Sequence, residues 1–305
     1  MRLCFVAVTT RPYAPPVPSP EADPLFAHIL RLGYRERRRL FRRQVRPPYP
    51  RFFYRYAAIN PDDPVSVDRM RDVVVRSELW LSSPADFNDP FDTSAHLVIQ
   101  GSDAEKLAML ERVGYRVTNM TEAQKVERRR SLLADPTSFE VAVRAAFRKN
   151  LDKLGVACFT PLPRNLLMWS HYAASHRGLV LQFEPTRHLD IFTYPVPVHY
   201  ERTYPILNWV REHEEAVRVV MMRKHSVWEY EKEFRLVHPG GARSYLPFAP
   251  AGLTGITLGC KAPAETEGAL QALLDERRQA GHPPVRLLKA HQHQTDYKLV
   301  FKRKR

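Results

Sequence analysis

The stretch "MWSHYAASHRG", Met168 to Gly178, gathers a tryptophan, two serines, two histidines, a tyrosine and an arginine within eleven residues. Side chains of these types can move a proton, contact a phosphate or stack on a flat ring. His171 suits the first two tasks and Tyr172 the third. Two other stretches carry polar groups beside apolar runs: "FFYRYAAI" holds Tyr54, Arg55 and Tyr56, and "WEYEKEFRLV" holds Glu231 and Glu233. An arginine can grip a phosphate through two parallel hydrogen bonds, and a carboxylate can stabilise developing positive charge. Side chains alternate along a strand, so Tyr54 and Tyr56 share one face and Arg55 takes the other. Plainer readings stand beside these: an ion pair for Arg55, two ordinary carboxylates for Glu231 and Glu233, and a core anchor for Trp169.

Several other chemistries have no motif here. The sequence lacks HExxH, a P-loop, GxGxxG and GxSxG, and its twelve glycines leave little room for a phosphate-cradling loop. A metal-dependent nuclease built on Asp89, Asp92, His171 and Glu233 would need ligand spacings that no pair of them has. In "NDPFD", Asn88 and Asp89 stand before Pro90, which fits a turn held by side-chain to backbone bonds better than catalysis. Cys4, Cys158 and Cys260 are far apart and show no CxxC or Cys/His metal pattern, so the sequence predicts no metal site and a reducing, cytoplasmic setting. No apolar run approaches the ~20 residues of a membrane span, which predicts a soluble protein without membrane contact.

The charge balance points to a polyanionic partner. The chain carries 47 Lys and Arg against 33 Asp and Glu, a net +14. Residues 1–51 alone hold eleven arginines and three acids. Arg37, Arg38, Arg39, Arg42 and Arg43 are the candidates for nucleic-acid contact, with DNA or RNA as the partner, although an arginine-rich helix can also serve solubility alone.

The elements that must position these groups are legible as periodicities and caps. Residues 1–50 read as a basic, Pro- and Arg-rich arm with one helix opening at Asp23-Pro24 and ended by "VRPPYPR". A main domain then covers 51–305. Strand-like runs lie at 52–59, 156–160, 179–183, 233–237 and 253–259, and a charged, helical insertion occupies about 102–153. Asn165 and Gly178 predict a helix of about three turns between them, with Leu166, Trp169, Ala173 and His176 on its packed face. Further helices are expected over about 208–223 and in "AETEGALQALLDERRQAG". Strands alternating with capped helices make the fold class mixed α+β.

Five ordered motifs, "FYRYAA", "LWLSSPADFNDPFD", "VACFT", "LLMWSHYAASHRGLVLQFE" and "VWEYEKEFRLV", followed by "ITLGCKAP", resemble the bacterial domain-of-unknown-function family 2971 over roughly residues 52–305. That pattern looks in turn like a divergent ADP-ribosyltransferase core, a split and twisted β-core around an NAD cleft. The resemblance implies catalytic roles for Arg55, Thr160 and Glu233, with Cys158-Phe159-Thr160 standing where Arg-class members have Ser-Thr-Ser. It implies NAD as co-substrate, with Tyr54, Tyr56, His171, Tyr172 and Glu231 around it. An enzyme of this kind would be a toxin or defence effector, with nucleic acid or protein as acceptor and an antitoxin or immunity protein as partner. The alternative is a non-enzymatic module that keeps the fold and binds nucleic acid or another partner.

Overall fold

The computed structural model describes residues 36, 50–112, 121–187 and 195–304. In chain order the first elements are β1 (Phe53–Ala57), α1 (Pro64–Arg71), β2 (Glu78–Leu81), β3 (His96–Val98), α2 (Asp103–Arg112), α3 (Glu122–Ala134) and α4 (Pro136–Leu151). There follow β4 (Gly155–Phe159), α5 (Leu166–Tyr172), β5 (Leu179–Phe183), β6 (Val196–Pro197), β7 (His199–Glu201), β8 (Ile206–Asn208), α6 (Trp209–Met221) and β9 (Arg223–His225). The last are β10 (Phe234–His238), β11 (Ser244–Pro247), β12 (Leu253–Leu258), α7 (Ala264–Gln279), β13 (Arg286–Gln292) and β14 (Leu299–Arg303). The fold is mixed α+β. Among the described residues no helix is long and apolar enough to cross a membrane.

The sequence predicts one domain over 51–305, whereas the chain divides into two compact units. Among the described residues, the first takes those up to Ser82, within Gly155–Pro197 and from Glu229 onward; the second takes those within Ser83–Leu154 and Val198–Trp228. The arm arginines Arg37, Arg38, Arg39, Arg42 and Arg43 lie outside the described residues.

The first unit is built on a five-stranded sheet in the order β1-β5-β12-β13-β14, antiparallel except for the β12–β13 pair. The parallel pair is joined through α7, as parallel strands require a crossover. Alternation gives the sheet two unlike faces. Phe53, Leu181, Ile256 and Leu258 join Met70, Val74, Leu270 and Leu273 in a buried apolar core. The opposite face puts Tyr56, Val180, Ala290 and Leu299 against Met168, Trp169 and Ala173 of α5 and its end. Arg277 is fully buried in the first layer, and its guanidinium donates to the carbonyls of Val74 (2.7 Å), Pro250 (2.6 Å) and Pro283 (3.0 Å). Those bonds offset the cost of burying the charge. A second sheet, β4-β10-β6, and the antiparallel pair β2–β11 complete the unit.

The second unit contains α2, α3, α4 and α6 with two parallel strand pairs, β3–β8 and β7–β9. The described part of 102–153 is thus helical, as its composition predicts, but the unit takes in more chain than that segment. Asp135 caps α4 by accepting from Thr137 N and Ser138 N, both 3.1 Å. Phe147 and Trp209 meet edge to face at 4.8 Å.

One predicted helix is shorter than its caps imply. α5 ends at Tyr172, and Ala174, Ser175 and His176 follow with φ of 47°, 54° and 70°. Three successive non-glycine residues in the left-handed region are sterically costly. They are held by Gly178 N donating to Ala173 O (2.8 Å) and by Lys261 N donating to His176 O (3.0 Å). The turn folds the His176 ring back over Trp169, stacked at 6.0 Å and 13°, instead of continuing the helical face. A Cβ on Gly259 would stand 2.0 Å from His176 O, so only glycine allows this close approach.

Candidate functional site

Strands β1 and β4 belong to different sheets, and a backbone bridge links Tyr54 of β1 to Thr160, the residue after β4. Tyr54 N donates to Thr160 O (2.8 Å) and Thr160 N to Tyr54 O (2.9 Å). Thr160 is the last residue of "ACFT", just beyond β4, and is buried. Its hydroxyl donates to the Glu231 carbonyl (2.6 Å) and accepts from Leu162 N (3.1 Å). The side chain therefore ties the 160–162 turn to the turn that carries Glu231.

That second turn separates the two candidate carboxylates. The strand expected at 233–237 opens on Glu233 and leaves Glu231 two residues before it. The strand instead begins at Phe234, Ser226–Glu231 is a 3₁₀ turn, and Lys232 has φ of 45°. The left-handed residue breaks the alternation, so Glu231 and Glu233 face different surroundings. Glu233 accepts from Arg235 Nε (2.7 Å) and Arg235 NH2 (3.2 Å), with both side chains almost fully buried. Glu231 accepts from the Tyr172 hydroxyl (2.7 Å) and is also buried. Asn165 adds a further tie: its Oδ1 caps α5 through Leu167 N and Met168 N, while its Nδ2 donates to Tyr230 O (2.8 Å).

Aromatic rings surround this point. Tyr54, Tyr172 and Tyr230 are half-buried against the cluster of Tyr56 and Trp169. Exposed His171 lies 6.2 Å from the Tyr172 ring and 6.5 Å from the Tyr230 ring. Trp169 is fully buried and donates from Nε1 to Pro163 O (2.9 Å), so it is a core anchor. Tyr56 donates to Leu162 O (2.7 Å) and packs edge to face on Trp169 at 5.4 Å; burial pushes its phenol above the ordinary tyrosine range. Burial also raises the Tyr54 phenol, against the opposing pull of Arg164, Arg51 and Arg286.

Arg55 is on the other side of β1. Its neighbours in register are Leu181 on β5 and, beyond it, Ile256 on β12, both in the apolar core. The guanidinium faces the Trp80 carbonyl at 3.4 Å and the Cys158 thiol, and desolvation by burial lowers its pKa. Of the three residues to which the resemblance assigns catalysis, only Thr160 stands at the Glu231–Tyr172 contact. Asp89 and Asp92 belong to the second unit. Asp89 holds the backbone N–H of Phe91 (2.9 Å) and accepts from Trp228 Nε1 (2.7 Å), and buried Asp92 lies 3.7 Å from Lys224 Nζ. Among the described residues no three His, Cys, Asp or Glu side chains are grouped to hold a metal.

Asn165 and Tyr230, which fix the approach of α5 to the Glu231 turn, were not singled out as site residues from the sequence. Asn165 carries a local signal as a helix cap; Tyr230 carries none beyond its place between two acids. Arg164 and Arg286, which flank Tyr54, lie far from it in sequence and had no motif to mark them. No protein-family model, curated protein or solved structure matches the chain. The functional reading therefore rests on the residues themselves.

Proposed function

We propose that the chain transfers ADP-ribose from NAD to an acceptor, on an ADP-ribosyltransferase-like core divided between two sheets, with Glu231 as the carboxylate at the reacting ribose. The observation that carries this reading is the convergence of Thr160, Tyr172 and Glu231, from three separate segments, where β1 and β4 meet. Cleavage of the C1′–N bond sends the bonding electrons to nicotinamide and leaves a cationic, oxocarbenium-like ribose. A fixed carboxylate stabilises that charge and accepts a hydrogen bond from the 2′-hydroxyl. The acceptor's lone pair then forms the new bond to C1′ and its proton is lost to a base.

In this reading Tyr172 orients Glu231, Thr160 fixes its turn, and Tyr54, Tyr230 and His171 supply ring surfaces for nicotinamide or adenine. Glu233 and Arg55 become structural, the first held by Arg235 and the second facing the Trp80 carbonyl. Nicotinamide release from NAD by the full chain, with and without DNA, RNA and protein acceptors, tests the proposal. Glu231→Gln keeps the shape and an acceptor for Tyr172, and its release rate should fall by ~10²-fold or more.

A second reading, a non-enzymatic binding module on the same core, is favoured by the Glu233–Arg235 ion pair. That pair occupies the glutamate to which the resemblance assigns catalysis. Wild-type protein that releases no nicotinamide with any acceptor would select it.

A further inference from the structure

We infer that the Tyr54 end of the five-stranded sheet is a binding surface for a single-stranded polynucleotide, with Phe52 and Tyr54 as the ring platform and Arg51, Arg164 and Arg286 as the phosphate contacts. The inference does not depend on NAD chemistry, and it concerns residues of the first unit alone.

The placement follows from register. Tyr54 pairs with Gln182, Gln182 with Gly255, and Gly255 with Arg286, so one row crosses four strands and its side chains share a face. Gly255 leaves the middle of that row without a side chain. Phe52 is two residues before Tyr54, on the same face, with ring centroids 6.3 Å apart. Arg303, opposite Leu288 on β14, belongs to the adjoining row and is exposed. α5 covers the part of this face around Tyr56, Val180 and Ala290, and the Tyr54 row lies toward the other end.

Charge and aromatic surface are interleaved here. The Arg51 guanidinium lies over the Phe52 ring at 4.7 Å and that of Arg164 over the Phe301 ring at 4.8 Å. Arg51, Arg164 and Arg286 are all exposed, and all three act electrostatically on the Tyr54 phenol. Among the described residues no carboxylate comes within ion-pair distance of any of the three. Beside them is a cavity of about 280 Å³ lined by Arg51, Phe52, Gln182, Arg187, Thr254 and Arg286. Glu184 also borders it, but its carboxylate accepts from Arg187 Nε at 2.7 Å.

Exposed arginines over aromatic rings, with a half-buried tyrosine near them, are suited to alternating bases and phosphates. A base stacks on a ring or on a guanidinium plane, and the phosphates neutralise the charge. A duplex keeps its bases stacked on one another and offers only its phosphates. A simple anion or an acidic peptide would use the arginines and leave the rings idle.

The test is fluorescence anisotropy on the full chain, without NAD, using labelled oligo(dT) and oligo(U) 12-mers. Unlabelled duplex and poly-glutamate serve as competitors. The triple variant Arg51→Ala/Arg164→Ala/Arg286→Ala should bind at least tenfold more weakly. It should also lose about 2 from the slope of log K against log salt, at ~0.7 per phosphate contact for single strands. Tyr54→Ala should weaken binding about tenfold and Tyr54→Phe should leave it nearly unchanged, which separates stacking from a hydrogen bond. The DNA and RNA arms show whether the 2′-hydroxyl is read. Unaltered affinity and slope in the triple variant would overturn the inference, as would equal competition by duplex or poly-glutamate. Because no arm measures NAD turnover, this result stands or falls apart from the proposed enzyme activity.

Discussion

The two faces of the five-stranded sheet receive alternate residues of the same strand and put them to opposite uses. On the α7 side, β1 contributes Phe53 to the apolar core with half-buried Ala57 packed against it, and half-buried Arg55 faces the Trp80 carbonyl. On the α5 side it contributes Tyr54 and Tyr56, among tyrosines, exposed arginines and the Glu231 turn. The same contrast recurs at Glu231 and Glu233, where one left-handed residue sends a carboxylate to a tyrosine hydroxyl and its neighbour to a buried guanidinium. A charged residue inside a motif is therefore no guide to chemistry until its face is known: on one face it neutralises a partner, and on the other it can meet a ligand.

The contrast breaks most visibly at the buried ion pair. Arg235→Ala leaves the Glu233 carboxylate buried without its bidentate partner and should cost about 3–5 kcal/mol in stability, read by urea or thermal unfolding. A loss below ~1 kcal/mol would mean that Glu233 is solvated after all. Thr160→Val keeps the shape but removes the hydroxyl that donates to the Glu231 carbonyl and accepts from Leu162 N. It should cost about 1–2 kcal/mol and should slow nicotinamide release more than stability alone explains, because the Glu231 turn loosens.

The smallest effect is that of pH at His176. Burial, with Lys261 nearby, lowers the His176 pKa below the ordinary 6.5. In the interval between the lowered value and 6.5 the unfolded chain binds more protons than the folded one. Stability is therefore full above that interval and declines as pH falls through it. Melting temperatures at pH 7.5 and 5.5 should differ by about 1 °C more in the wild type than in His176→Asn, which lacks the titrating ring. An unchanged difference would remove His176 as a contributor.

Apolar runs made the strands legible. Those expected at 52–59, 156–160, 179–183, 233–237 and 253–259 correspond to β1, β4, β5, β10 and β12 with boundaries close to those expected. Asn165 acts as the helix cap that local sequence predicts, a helix follows Asn208 as expected over about 208–223, and the alternation of Tyr54, Arg55 and Tyr56 follows from strand geometry alone. What stayed hidden depends on conformations or partners that no local pattern encodes. Left-handed backbone is ordinarily read from glycine, so Ala174, Ser175, His176 and Lys232 gave no signal, and with them went the end of α5 and the divergence of the two glutamates. Arg164 and Arg286 reach Tyr54 only through the sheet and the loop before α5. The division into two units depends on long-range contacts in the same way.

In the proposed reaction Glu231, and not Glu233, is the carboxylate at the ribose. Nicotinamide release and unfolding stability measured side by side on wild type, Glu231→Gln and Glu233→Gln test it most directly. Glu231→Gln should lose ~10²-fold or more in release with little change in stability, whereas Glu233→Gln should be destabilised by about 3 kcal/mol or more and keep most of its release rate below its melting transition. The reverse pattern, a stable Glu233→Gln without activity beside a fully active Glu231→Gln, would contradict it.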